Sequence, residues 1–157
     1  MTISSIEAIA LIDANNFYAS CEQSINPHLK NKPVVILSNN DGCIIARSPE
    51  ARVLKIKMGT PYFKEKERLK RLNVIVLSSN YSLYADMSKR LMNLIKNYSE
   101  DIEIYSIDEA FVTILRPHDK NLYPWARRLR SLIYQNLGIT LSVGIGENKL
   151  RAKVANA

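Results

Sequence analysis

The spacing of apolar residues in the first and last parts of the chain predicts four strands and two helices. Strands are predicted where apolar runs are short or alternate with polar residues, and helices where apolar residues recur every three to four positions. In chain order the predicted elements are a strand at 9–12, a helix at 82–98, strands at 102–106 and 110–114, a helix at 122–137 and a strand at 141–145. This order is that of a ferredoxin-like split βαβ fold, in which two helices lie on one face of an antiparallel sheet. Within it, the alternation at 102–106 predicts a strand with one buried face.

The intervening residues predict a small inserted α/β lobe, so the fold class is α/β, of the α+β type. Its predicted elements are a helix capped by Asn15 or Asn16 that ends at Pro27, a strand at 34–37, a type I′ turn at 39–42, a strand at 43–46, helices opened by Ser48-Pro49 and by Thr60-Pro61, and a strand at 74–77. We therefore divide the chain into one unit of residues 1–13 and 78–157 and an inserted lobe of residues 14–77. A last helix, capped by Asn148, still runs at Ala157, and we interpret this end as a truncation within a longer protein.

Asp13 is predicted to close the first strand, and Asp108 and Glu109 are predicted to close the second strand of the sheet, at 102–106. In this topology the strand ends meet at one edge of the sheet, where three carboxylates would repel one another unless a cation held them. Mg²⁺ suits such ligands, and two ions could clamp the attacking and leaving oxygens of a phosphoryl transfer. A solvated acidic turn is the more common explanation for an isolated Asp-Glu pair, and at this point it stays open.

The chain has 157 residues and a formal net charge of +7, which favours a polyanionic partner. Nine Lys and Arg residues lie between Arg47 and Arg71. A second basic group comprises Arg127, Arg128, Arg130, Lys149, Arg151 and Lys153. Two solvated helix faces are the alternative explanation. Cys21 and Cys43 are too few for a disulfide scaffold or a zinc site, and neither a signal peptide nor a membrane span is predicted, so we expect a cytoplasmic protein.

Several longer motifs resemble those of the Y-family, or translesion, DNA polymerases. The first motif of that family is similar to Leu11-Ile-Asp-Ala-Asn-Asn-Phe-Tyr-Ala-Ser20, and its second carboxylate motif is similar to Tyr105-Ser-Ile-Asp-Glu-Ala110. The UmuC-type branch is indicated by Ser38-Asn-Asn-Asp-Gly-Cys-Ile-Ile-Ala-Arg47 and Ser79-Asn-Tyr-Ser-Leu-Tyr-Ala-Asp-Met-Ser88. The resemblance covers essentially the whole chain. It implies a palm (1–13 and 78–157) with an inserted fingers lobe (14–77), and an absent thumb and little finger.

The resemblance also implies site residues. Asp13 and Asp108 would ligate both Mg²⁺ ions (Mn²⁺ being an alternative), Glu109 the catalytic ion, and the Ala14 carbonyl the nucleotide-bound ion. Tyr18 would be the gate that excludes ribonucleotides, with Phe17 supporting its ring. Arg52 would reach the triphosphate, whereas Asp86 is read as structural or solvated.

The implied activity is DNA-directed DNA polymerisation past template damage, a nucleotidyl transfer of SOS-type repair. The implied substrates are a primer–template and dNTPs, and the implied protein partners are a UmuD-type subunit and RecA. The 157 residues alone are expected to be inactive, because thumb and little finger supply most contacts to duplex phosphates. Pro49 stands where many relatives carry a Tyr that contacts the triphosphate, which puts that contact in doubt.

Two other functions stay open. A nucleotidyl cyclase would use a similar sheet, although Tyr105-Ser-Ile-Asp-Glu109 lacks the glycines of the cyclase hairpin. A non-catalytic module that binds DNA, RNA or repair proteins is the other alternative. An RNA-binding sheet would need aromatic side chains on its strands, for which only Tyr105 and Phe111 qualify.

Overall fold

The computed structural model describes residues 5–99, 101–117 and 121–157, so residues 1–4 of the predicted palm lie outside the described part. The strands are β1 (Ser5–Ala14), β2 (Val34–Leu37), β3 (Ile44–Arg47), β4 (Ile75–Ser78), β5 (Ile102–Ile104), β6 (Glu109–Pro117) and β7 (Leu141–Gly146). The helices are α1 (Phe17–Ile25), α2 (Pro49–Val53), α3 (Tyr62–Arg71), α4 (Tyr81–Tyr98), α5 (Tyr123–Leu137) and α6 (Lys149–Asn156), with a 3₁₀ helix at Pro27–Leu29.

The chain divides into two compact units. One combines Met1–Asn15 with Ala85–Ala157, and the other is Asn16–Tyr84. The assignment of these units to palm and fingers stays a prediction.

The first unit contains a four-stranded sheet in the order β5-β6-β1-β7. Each neighbouring pair is antiparallel, and the chain order strand, helix, strand, strand, helix, strand confirms the predicted split βαβ fold. Successive residues of a strand face opposite sides of the sheet. Because Leu11 and Ile12 of β1 are both buried, the two faces of this strand are both covered.

Helix α6 packs on the sheet face that carries Leu11 and Phe111, where Ala152 completes a buried cluster. Two glycines of β7 make this approach possible. A Cβ on Gly144 would lie 2.3 Å from the Ala152 carbonyl oxygen, and one on Gly146 would lie 2.6 Å from the Arg151 Cβ. The absence of side chains at these positions therefore lets the backbone of α6 lie directly on β7.

The second unit contains a three-stranded sheet in the order β3-β2-β4, with β3 antiparallel and β4 parallel to β2. Its core joins residues of strands, helices and the loops between them: Val35, Ile44, Ala51, Ile56, Leu69 and Val74. The predicted cap of α2 is confirmed, since the Ser48 hydroxyl accepts a hydrogen bond from the Ala51 N–H. The same hydroxyl accepts from the Val34 N–H and donates to the Lys32 carbonyl, which fixes the start of α2 to β2.

Three local predictions are wrong. A type I′ turn needs positive φ at both central residues, but in the turn before β3 only Gly42 has one; the Asp41 carboxylate instead accepts from the Cys43 N–H. Thr60 does not cap α3, because Pro61 takes the cap position without a side-chain hydrogen bond. Strand β5 has no buried face, since Ile104 is 51% exposed at the edge of the sheet.

One further expectation is confirmed, because Asp86 is solvated and pairs with Arg90 one turn along α4. Cys21 and Cys43 form no disulfide in this structure. No helix in the described ranges is long and apolar enough to cross a membrane.

The close contact between α6 and β7 predicts that Gly144→Ala destabilises the chain. The added methyl group would overlap backbone atoms that cannot rotate away, and overpacking of this kind costs about 1–3 kcal/mol. The measurement is the free energy of unfolding by chemical denaturation. Gly59→Asn is the control, because nothing lies within 4 Å of its Cβ position and Asn tolerates the positive φ there. Equal free energies of unfolding for the two variants would contradict the packing described here.

Candidate active site

Strand pairing brings the three predicted carboxylates of the first unit together. Asp13 lies on β1 directly opposite Glu109 of β6, and Asp108 lies in the turn just before β6. The prediction that these acids close their strands is therefore wrong in detail, since β1 continues to Ala14 and Glu109 begins β6 rather than ending β5. The Ala14 N–H donates to the Asp108 carbonyl oxygen over 2.9 Å, which ties the end of β1 to this turn.

A serine that the sequence analysis did not single out lies between two of these acids. The Ser106 hydroxyl oxygen is 3.0 Å from Asp108 Oδ1 and 2.9 Å from Glu109 Oε2. Adjacent strand residues point to opposite faces, so two neighbouring acids can meet one hydroxyl only where the chain bends. The turn at Asp108 provides that bend, because the N–H groups of Tyr105 and Ser106 both donate to the Glu109 carbonyl.

The clustering is electrostatically unfavourable for the chain alone. Burial, followed by the charges of Asp108 and Glu109, raises the pKa of Asp13 from its ordinary value of 3.8 to about 6. Burial also raises the pKa of Asp108, and the Glu109 charge adds to this effect while the Ser106 hydrogen bond opposes it. Both pKa values are raised, so the site disfavours the negative charge of its own carboxylates. A bound cation would reduce the repulsion among them.

The side-chain conformations nevertheless do not form a ready metal cage. Within the residues that the structure describes, no group of three or more His, Cys, Asp or Glu side chains has the arrangement of a metal site. The backbone brings the three acids into one neighbourhood, and an ion would require their side chains to turn toward it. Their chemistry fits Mg²⁺ or Mn²⁺, which bind carboxylate and carbonyl oxygens.

Two lysines of α6 lie across the sheet face next to this turn. The Lys153 ammonium donates to the Tyr105 hydroxyl over 2.9 Å, and Lys149 forms an ion pair with Glu103 of β5. The Phe111 ring packs edge-on against Tyr105 at 5.4 Å. Of the two aromatic residues that could have served for base stacking, Phe111 is buried, whereas Tyr105 stays 52% exposed.

In the second unit, the predicted gate residue Tyr18 belongs to an aromatic cluster on α1 and α4. Its ring stacks on that of Tyr84 at 4.3 Å with an interplanar angle of 13°, whereas Phe17 lies 6.1 Å away and tilted. Tyr81 meets the Tyr18 ring edge-on at 6.1 Å. Tyr84 is fully buried and its hydroxyl donates to Glu22. The main support of the Tyr18 ring is therefore Tyr84, which the sequence analysis did not identify.

Arg52, the predicted triphosphate contact, is exposed on α2 of the second unit. It lies near the carboxyl end of this five-residue helix, whose other end is anchored through the buried Ser48. Pro49 is the first residue of the same helix and offers no hydroxyl group.

A family model described as the impB/mucB/samB family matches residues 12–157. The chain belongs to this family. It is 49% identical over 148 residues to Protein UmuC of Salmonella typhimurium, a match that covers 94% of this chain and 35% of that protein. It is 36% identical over 155 residues to DNA polymerase IV of Saccharolobus solfataricus, and this match covers 94% of this chain and 43% of that protein. The chain thus spans well under half the length of these relatives.

Solved structures of DNA polymerases are also similar to this chain. The insertion ternary complex of Dbh DNA polymerase superposes with a TM-score of 0.80 at 30% identity, covering 94% of this chain and 44% of that one. A Y-family DNA polymerase chimera gives a TM-score of 0.79 at 27% identity, again covering 94% and 44%. The predicted resemblance to the Y family and its UmuC-type branch is confirmed.

The repulsion among the carboxylates predicts that Asp13→Asn raises the melting temperature of the metal-free chain at pH 8. Because the folded state raises the pKa of Asp13, it binds the proton more tightly than the unfolded state. Stability from this group is therefore greatest below about pH 4 and is lost as the pH rises through about 6. Since Asp13 is partly exposed, we expect a gain of roughly 1–3 °C at pH 8.

Thermal melts in EDTA at pH 4 and pH 8 measure this effect. Most of the gain should disappear at pH 4, where Asp13 is protonated in the folded state. A variant that is less stable than the parent at pH 8 would show that the three charges do not repel as described.

Proposed function

We propose that the chain is the palm and fingers part of an error-prone, UmuC-type translesion DNA polymerase. The observation that carries the proposal is the convergence of Asp13, Asp108 and Glu109, through β1–β6 pairing and the bend at Ser106. Membership of the impB/mucB/samB family and likeness to Y-family polymerase structures support it. Because the chain spans 35% of Protein UmuC, polymerisation is proposed for a longer polypeptide that contains these residues, and the 157 residues alone are expected to be inactive.

In this proposal Asp13, Asp108, Glu109 and the Ala14 carbonyl hold two Mg²⁺ ions together with the nucleotide. When bound, such ions stabilise the attacking and leaving oxygens of an in-line phosphoryl transfer. The chain contributes three carboxylates, which the β5–β6 hairpin and the paired strand β1 hold in one neighbourhood. Ser106 can donate its proton to Asp108 or Glu109 and so restrict how each carboxylate turns. Mn²⁺ is expected to substitute, since it favours the same oxygen ligands.

The second unit supplies the proposed nucleotide contacts. Arg52 would bind the triphosphate, because a guanidinium group pairs well with phosphate oxygens. The flat face of Tyr18 would pack beneath the deoxyribose, with Tyr84 stacked behind it and Phe17 beside it. A ring supported from behind cannot move away, which makes it a firm barrier to a 2′-hydroxyl group.

The proposed substrates are a DNA primer–template and dNTPs, and the proposed setting is SOS-type repair in the cytoplasm. A UmuD-type subunit and RecA are the proposed protein partners. These assignments rest on the family relationship, and the net charge of +7 is consistent with a polyanionic substrate.

The metal proposal predicts that Mg²⁺ raises the melting temperature of the chain by mass action. At ten times the dissociation constant the gain is about 1.4 kcal/mol, or roughly 3–6 °C for a chain of this size. Asp108→Ala should remove the gain, whereas Asp86→Ala should retain it, because Asp86 is an exposed acid of the same unit that pairs with Arg90. Equal Mg²⁺ responses of the two variants would contradict the assignment of the site.

The gate proposal predicts that Tyr18→Ala, in a longer polypeptide containing this chain, lets ribonucleotides in. The ratio of kcat/KM for deoxy- over ribonucleotides should fall on the order of 10²-fold, since a small misplacement of the sugar has that effect on rate. Tyr18→Phe should keep discrimination because the ring, not the hydroxyl, excludes the oxygen. If Phe17→Ala collapses the ratio while Tyr18→Ala leaves it unchanged, the gate is assigned to the wrong ring.

A further inference from the structure

Four side chains form a single stripe along helix α5. Tyr123, Arg127, Arg130 and Tyr134 are spaced at i, i+4, i+7 and i+11, so they lie on one face of the helix. At 1.5 Å per residue the stripe is about 16 Å long. The two tyrosines at its ends are 65% and 51% exposed, and neither contributes to the core.

The stripe lines two adjoining surface cavities. A cavity of about 280 Å³ is bounded by Arg127, Arg130, Tyr134 and Thr140, and a second of about 340 Å³ by the same two arginines together with Tyr123. Both reach β7 at Leu141. Since β7 is an edge strand of the sheet, the two cavities form a groove along the open edge, between α5 and the sheet. We call this the α5 groove.

The charge of the α5 groove is positive and unbalanced. Helix α5 contains no acidic residue. Among the described residues the ion pairs involve Arg68, Arg90 and Lys149, so within those ranges neither Arg127 nor Arg130 has an acidic partner. Two exposed guanidinium groups, flanked by exposed phenol rings, are therefore available for an anion.

We propose that the α5 groove binds single-stranded nucleic acid. Arginines contact backbone phosphates, and exposed aromatic rings stack on bases without sequence preference, which is the combination found in single-strand binders. A groove with two arginines between two tyrosines suits a nucleic-acid strand, because such a strand carries both phosphates and bases. An acidic polypeptide would satisfy the arginines but would leave the two exposed rings without a matching surface.

The choice of nucleic acid over acidic polypeptide also rests on the proposed function, for which a DNA strand is the substrate. Asn15 lines one cavity of the groove, and it lies two residues after Asp13, directly after the end of β1. A strand held in the groove would therefore pass close to the end of β1, outside the carboxylate cluster itself.

The test is fluorescence anisotropy with a labelled oligo-dT, at low salt and in EDTA, using the 157-residue chain. Arg127→Glu and Arg130→Glu should each weaken binding about tenfold or more and reduce the salt dependence. Arg128→Glu is the matched control, because it makes the same charge change on the same helix about 100° around the axis from Arg127. Tyr123→Leu with Tyr134→Leu should weaken binding while leaving the salt dependence unchanged.

The outcomes separate the alternatives. Absence of binding at low salt, or equal losses for Arg128→Glu and Arg127→Glu, would overturn the proposal. Competition by poly-glutamate as effective as that by unlabelled oligo-dT would assign the groove to an acidic polypeptide and overturn it as well. Arg127→Gln and Arg130→Gln repeat the comparison without introducing negative charge, should a Glu variant fail to fold.

The same assay keeps this proposal distinct from the metal site. Asp108→Ala should bind oligo-dT as the parent does, because no divalent ion is present. If the parent chain shows no Mg²⁺ response but binds oligo-dT, the result counts against the polymerase proposal alone. If the parent chain responds to Mg²⁺ but does not bind oligo-dT, the result counts against the α5 groove alone.

Discussion

The antiparallel pairing of β1 with β6 is the constraint on which the candidate site depends. Its register places Asp13 directly opposite Glu109, and the turn before β6 adds Asp108 to the same neighbourhood. A shift of one residue would move Asp13 to the other face of the sheet. Buried neighbours on both faces of β1, such as Leu11 and Ile12, make that shift costly, so the hydrophobic core fixes the position of the charged site.

The unfavourable charge of the site is sustained by the surrounding packing. Desolvation and mutual repulsion raise the pKa of Asp13 to about 6, which opposes folding at neutral pH. Helix α6 packs on the same sheet face through Gly144 and Ala152, and it brings Lys153 to the Tyr105 hydroxyl beside the carboxylate turn. A backbone that brings acids together although they repel one another is consistent with a site that is completed by a cation.

Sequence patterns predicted those parts of the structure that local periodicity determines. Helices α4 and α5, the four strands of the first sheet and the Ser48 cap all follow from spacing or from single-residue chemistry. Three features were not predicted: the stacking of Tyr84 behind Tyr18, the position of Ser106 between two carboxylates, and the exposure of Ile104. The first depends on a partner that is distant in sequence, and the third on which strand lies at the sheet edge. The partners of Ser106 are close in sequence, but the contact depends on a bend of the chain that the strand pattern does not reveal. The glycines of β7 were a usable signal, since alternate glycines in a strand indicate close approach of another backbone.

Localising a paramagnetic ion by NMR tests the central claim most directly. With substoichiometric Mn²⁺, the account predicts that the backbone amide signals of Asp13, Ala14 and residues 106–109 broaden first, and that excess Mg²⁺ restores them. Broadening that begins elsewhere, for example at Asp86 or Asp41, or that persists unchanged in Asp108→Ala, would contradict the view that β1–β6 pairing assembles a metal site.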